Sequence, residues 1–365
     1  MLVMTFHANI FHFGWMGVQL FFVLSGYLIT GILWKEKFGE EQLSFKLKRF
    51  WVRRTLRIFP LYFGYLIILG ITYLFAHFPS YYTTYAPYLF TYTANYTRLL
   101  HDWQGNPLFT HLWSLSVEEQ FYFFFPFIIF LLPAKAIKYL LPAVIILGPV
   151  TRFLLGEYYQ SRTTLLIAAD AVYWNTLSHL DAFFLGGIIP IFSLEKKIKK
   201  PYILLMLFFI VAAVAGITNY TVSHNAHTTY FTDLGYNHDD KYAHVWRYTC
   251  LNLLFASLIL TLTSSNKRHT GYLRKFFENK FLIRMGRVSY GMYVFHWAIY
   301  VYVMHRIYSS EHLAIKLLLF IPFLLVTYGF SEVSYRLYES KFLVLKDKFF
   351  RKKTSKRTDV ATVHH

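Results

Sequence analysis

The sequence predicts an all-α, polytopic transmembrane helix bundle of about ten spans. Hydrophobic residues make up 56% of the 365-residue chain and charged residues only 15%, whereas soluble domains average about 25% charged residues. The apolar residues also form long blocks, such as 202–217 and 313–330, and these approach the roughly 20 residues that cross a bilayer. Together the two observations predict a multi-pass integral membrane protein.

Ten segments are candidate spans. The first is partial, because the 13 apolar residues before Gly14 are too few to cross a bilayer, and we expect a first helix truncated at its N-terminus. The aromatic but polar stretch 84–97 is predicted to lie outside the bilayer, as an interfacial or re-entrant piece. The candidate spans are 1–13, 14–34, 60–77, 112–132, 138–156, 173–192, 201–219, 246–264, 288–305 and 313–335.

The basic residues predict the orientation of the bundle. With ten spans, one face receives 30 of the 37 Lys and Arg, and the other receives seven, counting Arg152 and Arg247. Positive loops stay in the cytoplasm, so both termini are predicted to be cytoplasmic, with a membrane domain over 1–335 and a basic tail over 336–365. The net charge of +18 is therefore assigned to loops, and no nucleic-acid partner is predicted. The basic face holds eight, two, four, seven and nine Lys and Arg in 35–59, 133–138, 195–200, 265–287 and 336–365.

The longest predicted outer loop, about 220–245, is polar. It contains four histidines, His224, His227, His238 and His244. Their spacing is irregular and no cysteine accompanies them, so a solvated loop is favoured over a metal site. The chain has a single cysteine, Cys250, which excludes an intrachain disulfide.

The stretch HLWSLSVEEQFY, residues 111–122, places carboxylates at the start of a predicted span. Ionisable groups inside a membrane are costly and are functional candidates by default. Ser114, Glu118 and Tyr122 follow at four-residue intervals, which puts them on one face of a helix. Such a polar face indicates a cavity, or alternatively a carboxylate that fixes helix packing. Glu119 points about 100° away and is expected to serve packing.

Four further residues in predicted spans are candidates for the same cavity. His7 is expected at a depth similar to that of Glu118, where a histidine and a carboxylate can form a general-base pair. Asp181 lies in the segment HLDAFFLGG, and Tyr293 and His296 lie three residues apart in GRVSYGMYVFHW. For each of these residues a structural role is the open alternative.

A basic cluster precedes the predicted span at 60–77. Arg53 and Arg57 are four residues apart, and Arg54 and Arg57 are three apart, so they share one side of a helix. Two interpretations stay open. The cluster is either an interfacial helix that binds anionic lipid headgroups or a phosphate clamp, since guanidinium groups match phosphate bidentately.

Five stretches together resemble the acyltransferase-3 family of integral membrane O-acyltransferases. The resemblance implies transfer of an acyl group, often acetyl, from cytoplasmic acyl-CoA to a hydroxyl of an extracytoplasmic glycan or lipid-linked sugar. Acyl-CoA is then a donor substrate, no permanently bound cofactor or metal is expected, and the location is the cytoplasmic membrane of a bacterium. The stretches are GVQLFFVLSGYLIT (17–30), RRTLRIFPLY (53–62), HLWSLSVEEQFYFFFP (111–126), HLDAFFLGG (179–187) and GRVSYGMYVFHW (286–297).

The resemblance also implies residue roles. His7 matches the essential histidine of the family's first helix, Arg54 and Arg57 match its R-x-x-R pattern, and Glu118 matches the acidic residue of S-x-x-x-E-x-x-F-Y. The resulting hypothesis is that His7, assisted by Glu118, deprotonates the acceptor, while these arginines and Arg53 hold the CoA phosphates. Two departures are that no Arg precedes His7 and that position 19 is Gln where the family often has Asp.

A second function class fits the buried charges. A proton-coupled transporter or flippase of a small polar or lipid-linked substrate also needs His, Asp and Glu inside a helix bundle. The cytoplasmic arginine cluster favours the enzyme, because a transporter has no evident need for a phosphate clamp there.

Overall fold

The computed structural model describes residues 1–100, 103–223, 234–236, 242–264, 271–304 and 313–349. Within these ranges the chain forms α-helices joined by short 3-10 and π-helical turns, with no β-strand. The α-helices are α1 (Leu2–His7), α2 (Met16–Lys37), α3 (Leu43–Ala76), α4 (Tyr82–Phe90), α5 (Trp113–Leu131), α6 (Ala134–Gln160), α7 (Leu165–Trp174), α8 (Leu180–Phe192), α9 (Leu194–Lys197), α10 (Pro201–Ser223), α11 (Ala243–Thr263), α12 (Gly271–Phe277), α13 (Lys280–Ile299), α14 (Leu313–Ser334) and α15 (Ser340–Phe349).

Seven helical segments in the described ranges are long and apolar enough to cross a membrane. They match seven of the ten predicted spans, so the all-α membrane fold is confirmed, while the count of ten and the cytoplasmic placement of both termini stay predictions. The segments are His12–Lys37, Leu43–Ala76, Thr110–Leu131, Ala134–Gln160, Pro201–Val222, Ala243–Thr263 and Leu313–Leu345.

The other three predicted spans, 1–13, 173–192 and 288–305, are not among these seven segments. At the N-terminus, α1 has only six residues. The segment 173–192 is not one helix, because Asn175 ends α7 and its side chain accepts a hydrogen bond of 2.9 Å from the Leu177 backbone N–H, which starts a 3-10 turn before α8. Asparagine commonly begins helices in this way. The apolar helical segment that follows, Thr176–Phe192, covers most of the predicted span, which stays a prediction. The described part of the third segment, 288–304, consists of the end of α13 and a π-helical turn, Tyr300–Met304.

The basic cluster and the span after it form a single helix, α3, which contains Pro60. A proline inside a helix removes one backbone hydrogen bond and usually kinks it. Two tyrosines donate hydrogen bonds to carbonyls at this point, Tyr290 to Ile58 at 3.0 Å and Tyr338 to Pro60 at 3.1 Å. The arginines of the basic cluster therefore lie on the same helix that enters the bundle, and the two tyrosines hold that helix in place near Pro60.

The aromatic stretch 84–97 packs on the side of α3. Tyr82, Tyr85 and Leu89 of α4 are buried, and hydrogen bonds join the two helices, from Tyr62 to the Leu89 carbonyl at 2.9 Å and from Tyr82 to the Leu66 carbonyl at 2.6 Å. This stretch is not one of the seven spanning segments in the described ranges, which agrees with the prediction that it is not a span.

Helices α2 and α8 pack closely through two glycines. A Cβ atom on Gly26 would lie 1.9 Å from the Phe183 carbonyl oxygen, and one on Gly186 would lie 1.9 Å from the Val23 carbonyl oxygen. Small residues allow such close approach between membrane helices. The two backbones are therefore in direct contact.

Two apolar cores meet at α5. Its residues Trp113 and Val117 belong to a core with α2, α8 and α11. Its residue Leu115, with Leu112 just before the helix, belongs to a core with α1, α3 and α13. The most apolar stretches of α2, α5 and α11 are each 56% buried, against 17% for α10 and 11% for the segment Leu313–Leu345. The first three are thus central, and the last two present most of their apolar side chains to lipid.

Candidate active site

A pair of histidines joins the N-terminal helix to α13. His7 is the last residue of α1, and its Nδ1 lies 2.6 Å from Nε2 of His296. The two rings are nearly parallel, with an interplanar angle of 7°, and the His7 ring also stacks on Trp297 at a centroid distance of 3.9 Å. The structure therefore brings together two residues that the sequence could nominate only separately.

His111 completes a cluster of three histidines. Its ring stands edge-on to His296 at 5.1 Å, and its Nε2 lies 3.2 Å from the Val294 carbonyl oxygen. Its Nδ1 is buried and has no hydrogen-bond partner among the described residues. His111 was not among the predicted site residues, although it lies three residues before Ser114 on the same helical stripe.

A tyrosine links this cluster to α5. The Tyr293 hydroxyl donates to the His111 carbonyl at 2.8 Å and lies 2.5 Å from Ser114 Oγ. The Ser114 hydroxyl also lies within reach of the His111 carbonyl oxygen, at 3.4 Å. Either hydroxyl can therefore be the donor in the Ser114–Tyr293 hydrogen bond. The polar chain thus runs from the histidines to Ser114.

Glu118 lies one helical turn further along α5 and is 3% exposed. Its Oε1 accepts a hydrogen bond from Ser25 Oγ at 2.7 Å and another, shorter one from the Tyr122 hydroxyl. The predicted buried stripe is confirmed, since Ser114, Glu118 and Tyr122 are all at least 96% buried. Within the described residues no hydrogen bond joins Glu118 to His7; the hydrogen-bond partner of His7 is His296.

The other glutamate, Glu119, is only partly buried as a residue. Its Oε1 is nevertheless enclosed and has no hydrogen-bond partner in the described part of the chain. Its carboxylate lies within electrostatic range of Glu118 and of Arg54. Two adjacent carboxylates thus share the positive charge of one guanidinium group.

The three predicted phosphate-binding arginines differ in their surroundings. Arg53 and Arg57 are exposed, whereas Arg54 is half-buried. The Arg54 guanidinium carbon lies 5.4 Å from the centre of the Tyr122 ring, and both Arg54 and Arg57 are within electrostatic range of Glu118. The arginines therefore lie near one end of the polar stripe on α5, and the histidines lie at the other end.

A fourth arginine of α3, Arg49, is already neutralised by two glutamates. Its guanidinium group forms ion pairs with Glu36 at 3.3 Å and with Glu41 at 2.5 Å. Arg49 is spaced four residues from Arg53, so it offers a matched comparison for the other arginines.

Asp181 lies in a separate buried network. It forms an ion pair of 2.8 Å with Arg152, and both side chains have no exposed surface. Asn252 also donates to Asp181 at 3.3 Å, and Thr249 accepts from Arg152 at 2.5 Å. Arg152, which is counted above with the outer face, lies inside α6, where its charge compensates Asp181.

A second buried histidine, His179, was also missed. Its Nδ1 lies 3.1 Å from the amide nitrogen of Gln19, and its Nε2 lies 2.5 Å from the Tyr173 carbonyl oxygen. The Gln19 amide oxygen has no hydrogen-bond partner in the described ranges. Gln19, one of the two departures noted above, thus has a defined place beside His179 in the central core.

The predicted outer loop is only partly described. His224, His227 and His238 lie outside the described residues, and His244 is buried near the start of α11. Among the described residues, no group of three His, Cys, Asp or Glu side chains is arranged to hold a metal ion. The preference for a solvated loop over a metal site therefore stays a prediction.

Comparison with known proteins gives one family and several bacterial relatives. The family described as "Acyltransferase domain" matches residues 2–335. O-acetyltransferase OatA of Staphylococcus aureus strain NCTC 8325 and OatA of strain COL are each 29% identical over 351 residues, and each alignment covers 90% of this chain. The alignments cover 52% of the relatives, so the chain spans about half their length. No solved structure matches the chain.

Proposed function

The chain belongs to the acyltransferase-3 family, and we propose that it is a membrane O-acyltransferase. In this proposal it moves an acyl group, acetyl in the expected case, from cytoplasmic acyl-CoA to a hydroxyl of an extracytoplasmic glycan or lipid-linked sugar. The relatives named O-acetyltransferase support the acetyl group and the oxygen acceptor.

The observation that carries the proposal is the polar line along α5. Histidines lie at one end of it and arginines at the other, and Ser114 and Glu118 lie between them. A reaction between a charged donor on one side of a membrane and a sugar on the other side needs such a line through an apolar bundle. The paired arginines suit the donor phosphates, because guanidinium groups bind phosphate with charge-assisted hydrogen bonds.

The proposed chemistry is a single displacement. An unprotonated nitrogen of His7 accepts the proton of the acceptor hydroxyl as its oxygen attacks the thioester carbonyl carbon. A C–O bond forms, the C–S bond breaks, and the CoA thiolate leaves and takes up the proton. The products are the ester and CoA–SH. Arg53, Arg54 and Arg57 hold the donor by its phosphates.

Glu118 has a different place in this scheme from the one the sequence suggested. Its contacts are the hydroxyls of Ser25 and Tyr122 and the field of Arg54. We assign it to the donor side, where it orients the hydroxyl groups and Arg54 around the thioester. His296 lies beside His7, and Tyr293 lies beside His296. Substrate binding by Asp181 stays a prediction.

The test compares glycans and lipid-linked sugars of cells that express the wild-type chain with those of cells that express His7→Ala. Mass spectrometry is expected to show acceptors that are heavier by one acyl group only with the wild-type chain. Proteoliposomes that contain the purified protein should require acyl-CoA for this change. Movement of an unmodified acceptor across the bilayer without acyl-CoA would instead support the transporter.

A further inference from the structure

We propose that His296 is the positioning residue that sets the tautomer of His7, so that Nε2 of His7 is the nitrogen that accepts the substrate proton. The inference rests on the proposed function, in which His7 is the general base. It goes beyond that function because it identifies the reacting atom and the residue that selects it.

A backbone carbonyl fixes which nitrogen of His296 carries the proton. Nδ1 of His296 lies 2.6 Å from the Tyr293 carbonyl oxygen. A carbonyl oxygen only accepts hydrogen bonds, so Nδ1 of His296 must carry a proton. A neutral imidazole has one N–H, and its other nitrogen is an acceptor. Nε2 of neutral His296 therefore presents a lone pair.

The position of the proton on His7 follows from that on His296. Its Nδ1 lies 2.6 Å from Nε2 of His296, and a hydrogen bond at this distance needs one donor and one acceptor. Since Nε2 of His296 accepts, Nδ1 of His7 donates. The single proton of neutral His7 is thus on Nδ1, and its Nε2 has a free lone pair.

The surroundings of His7 leave that nitrogen available. The side chain is only partly buried, and within the described residues its one hydrogen bond is the bond from Nδ1 to His296. Stacking on Trp297, with an interplanar angle of 15°, fixes the plane of the ring. His296 itself is fully buried, so water does not compete with the Tyr293 carbonyl oxygen for Nδ1 of His296.

This arrangement uses a neutral partner where many general-base histidines use a carboxylate. In both cases the partner accepts from one ring nitrogen so that the other is free to act as a base. Once His7 has taken a proton on Nε2, its Nδ1–H still points at the lone pair of His296. The positive charge of the His7 ring is then stabilised by the His296 ring, whose own N–H donates to the Tyr293 carbonyl.

The test replaces the acceptor and then restores it. His296→Leu removes the acceptor, and we expect kcat for acyl transfer to fall about 100-fold, a typical contribution of general-base catalysis, with KM for acyl-CoA unchanged. His296→Gln offers an amide oxygen near the position of Nε2 and should recover at least a tenth of the wild-type kcat, about ten times the value for His296→Leu. His12→Leu is the control, because His12 bonds to Asn9 at an exposed site and should leave kcat unchanged.

A direct measurement of the tautomer is independent of turnover. Nitrogen NMR of ¹⁵N-histidine-labelled protein in detergent micelles, with the His7 signals assigned by their loss in His7→Ala, should show a protonated Nδ1 and an unprotonated Nε2. His296→Leu should give a mixture of tautomers, and His296→Gln should restore the single form. A wild-type His7 protonated at Nε2, or a tautomer unchanged in His296→Leu, overturns the inference. If the proposed function fails, wild-type protein lacks acyl transfer, and the tautomer is still read from the spectrum.

Discussion

Ser25 of α2 donates a hydrogen bond of 2.7 Å to the carboxylate of Glu118 on α5. This contact joins two central helices at a point that is almost fully buried. A buried carboxylate is costly unless several groups compensate it, and Glu118 has two hydroxyl donors and two guanidinium groups within range. These groups compensate the buried carboxylate, and its part in acyl transfer stays a proposal.

The two adjacent glutamates are expected to differ in their effect on activity. Glu118→Gln keeps the shape of the side chain but removes the charge that orients Arg54, and kcat should fall by about 100-fold. In Glu119, Oε1 accepts no hydrogen bond within the described residues. Glu119→Gln should therefore keep kcat within about threefold of the wild-type value. Acyl transfer measured in proteoliposomes compares the two variants. Equal losses in both would contradict the assignment of Glu118.

The arginines of α3 should differ in the same way in their effect on donor binding. Arg54→Ala removes a guanidinium group that we propose binds a donor phosphate, and KM for acyl-CoA should rise at least about tenfold, since a hydrogen bond to a charged group contributes roughly 1.5–3 kcal/mol. The effect should shrink as salt is added, because salt screens exposed charges. Arg49→Ala is the control, since Glu36 and Glu41 already occupy that guanidinium, and its KM should stay near the wild-type value.

The Arg152–Asp181 ion pair predicts a strong loss of stability when it is broken. Arg152→Met leaves an uncompensated buried carboxylate and should lower the free energy of unfolding by about 3–5 kcal/mol. Adding Asp181→Asn removes that charge and should recover at least half of the loss. Thermal unfolding in detergent micelles measures both variants. Glu278→Gln, at the more exposed Arg274–Glu278 pair, should change stability by less than about 1 kcal/mol.

That double variant also separates two roles of Asp181. If the residue only compensates Arg152, the stable double variant should transfer acyl groups at close to the wild-type rate. If Asp181 binds substrate, as the sequence predicts, KM for the acceptor should rise although the fold is restored.

The contact between α2 and α8 predicts the effect of a single methyl group. Gly26→Ala places a Cβ against the Phe183 carbonyl oxygen, and a rigid backbone cannot move away without separating the helices. We expect a loss of about 1–3 kcal/mol or more, the usual cost of overpacking. Gly286→Ala in α13 is the matched control, because its Cβ would meet nothing within 4 Å. Alanine is favoured over glycine in helices by about 1 kcal/mol, so Gly286→Ala should unfold at an equal or higher temperature.

Local regularities of the sequence predicted a large part of this protein. Apolar blocks located seven helices that the structure also finds long and apolar enough to cross a membrane. The four-residue spacing of Ser114, Glu118 and Tyr122 predicted the buried stripe of α5 correctly. Both results depend only on the 3.6-residue period of the helix and on side-chain polarity, which are properties of neighbouring residues. The break at Asn175 was missed, because the apolar composition continues across it and only the capping side chain marks it.

The partners of the buried polar groups were decided by tertiary structure alone. His7 and His296 are separated by 289 positions, and Arg152 and Asp181 lie on different helices. No spacing rule relates such residues, because the rotation and depth of one packed helix against another depend on contacts along their whole length. The sequence therefore nominated His7 and Glu118 as a pair, whereas packing gave His7 a histidine partner and Glu118 two hydroxyls. Sequence determines which side chains lie inside the bundle; the packing of the helices decides which of them meet.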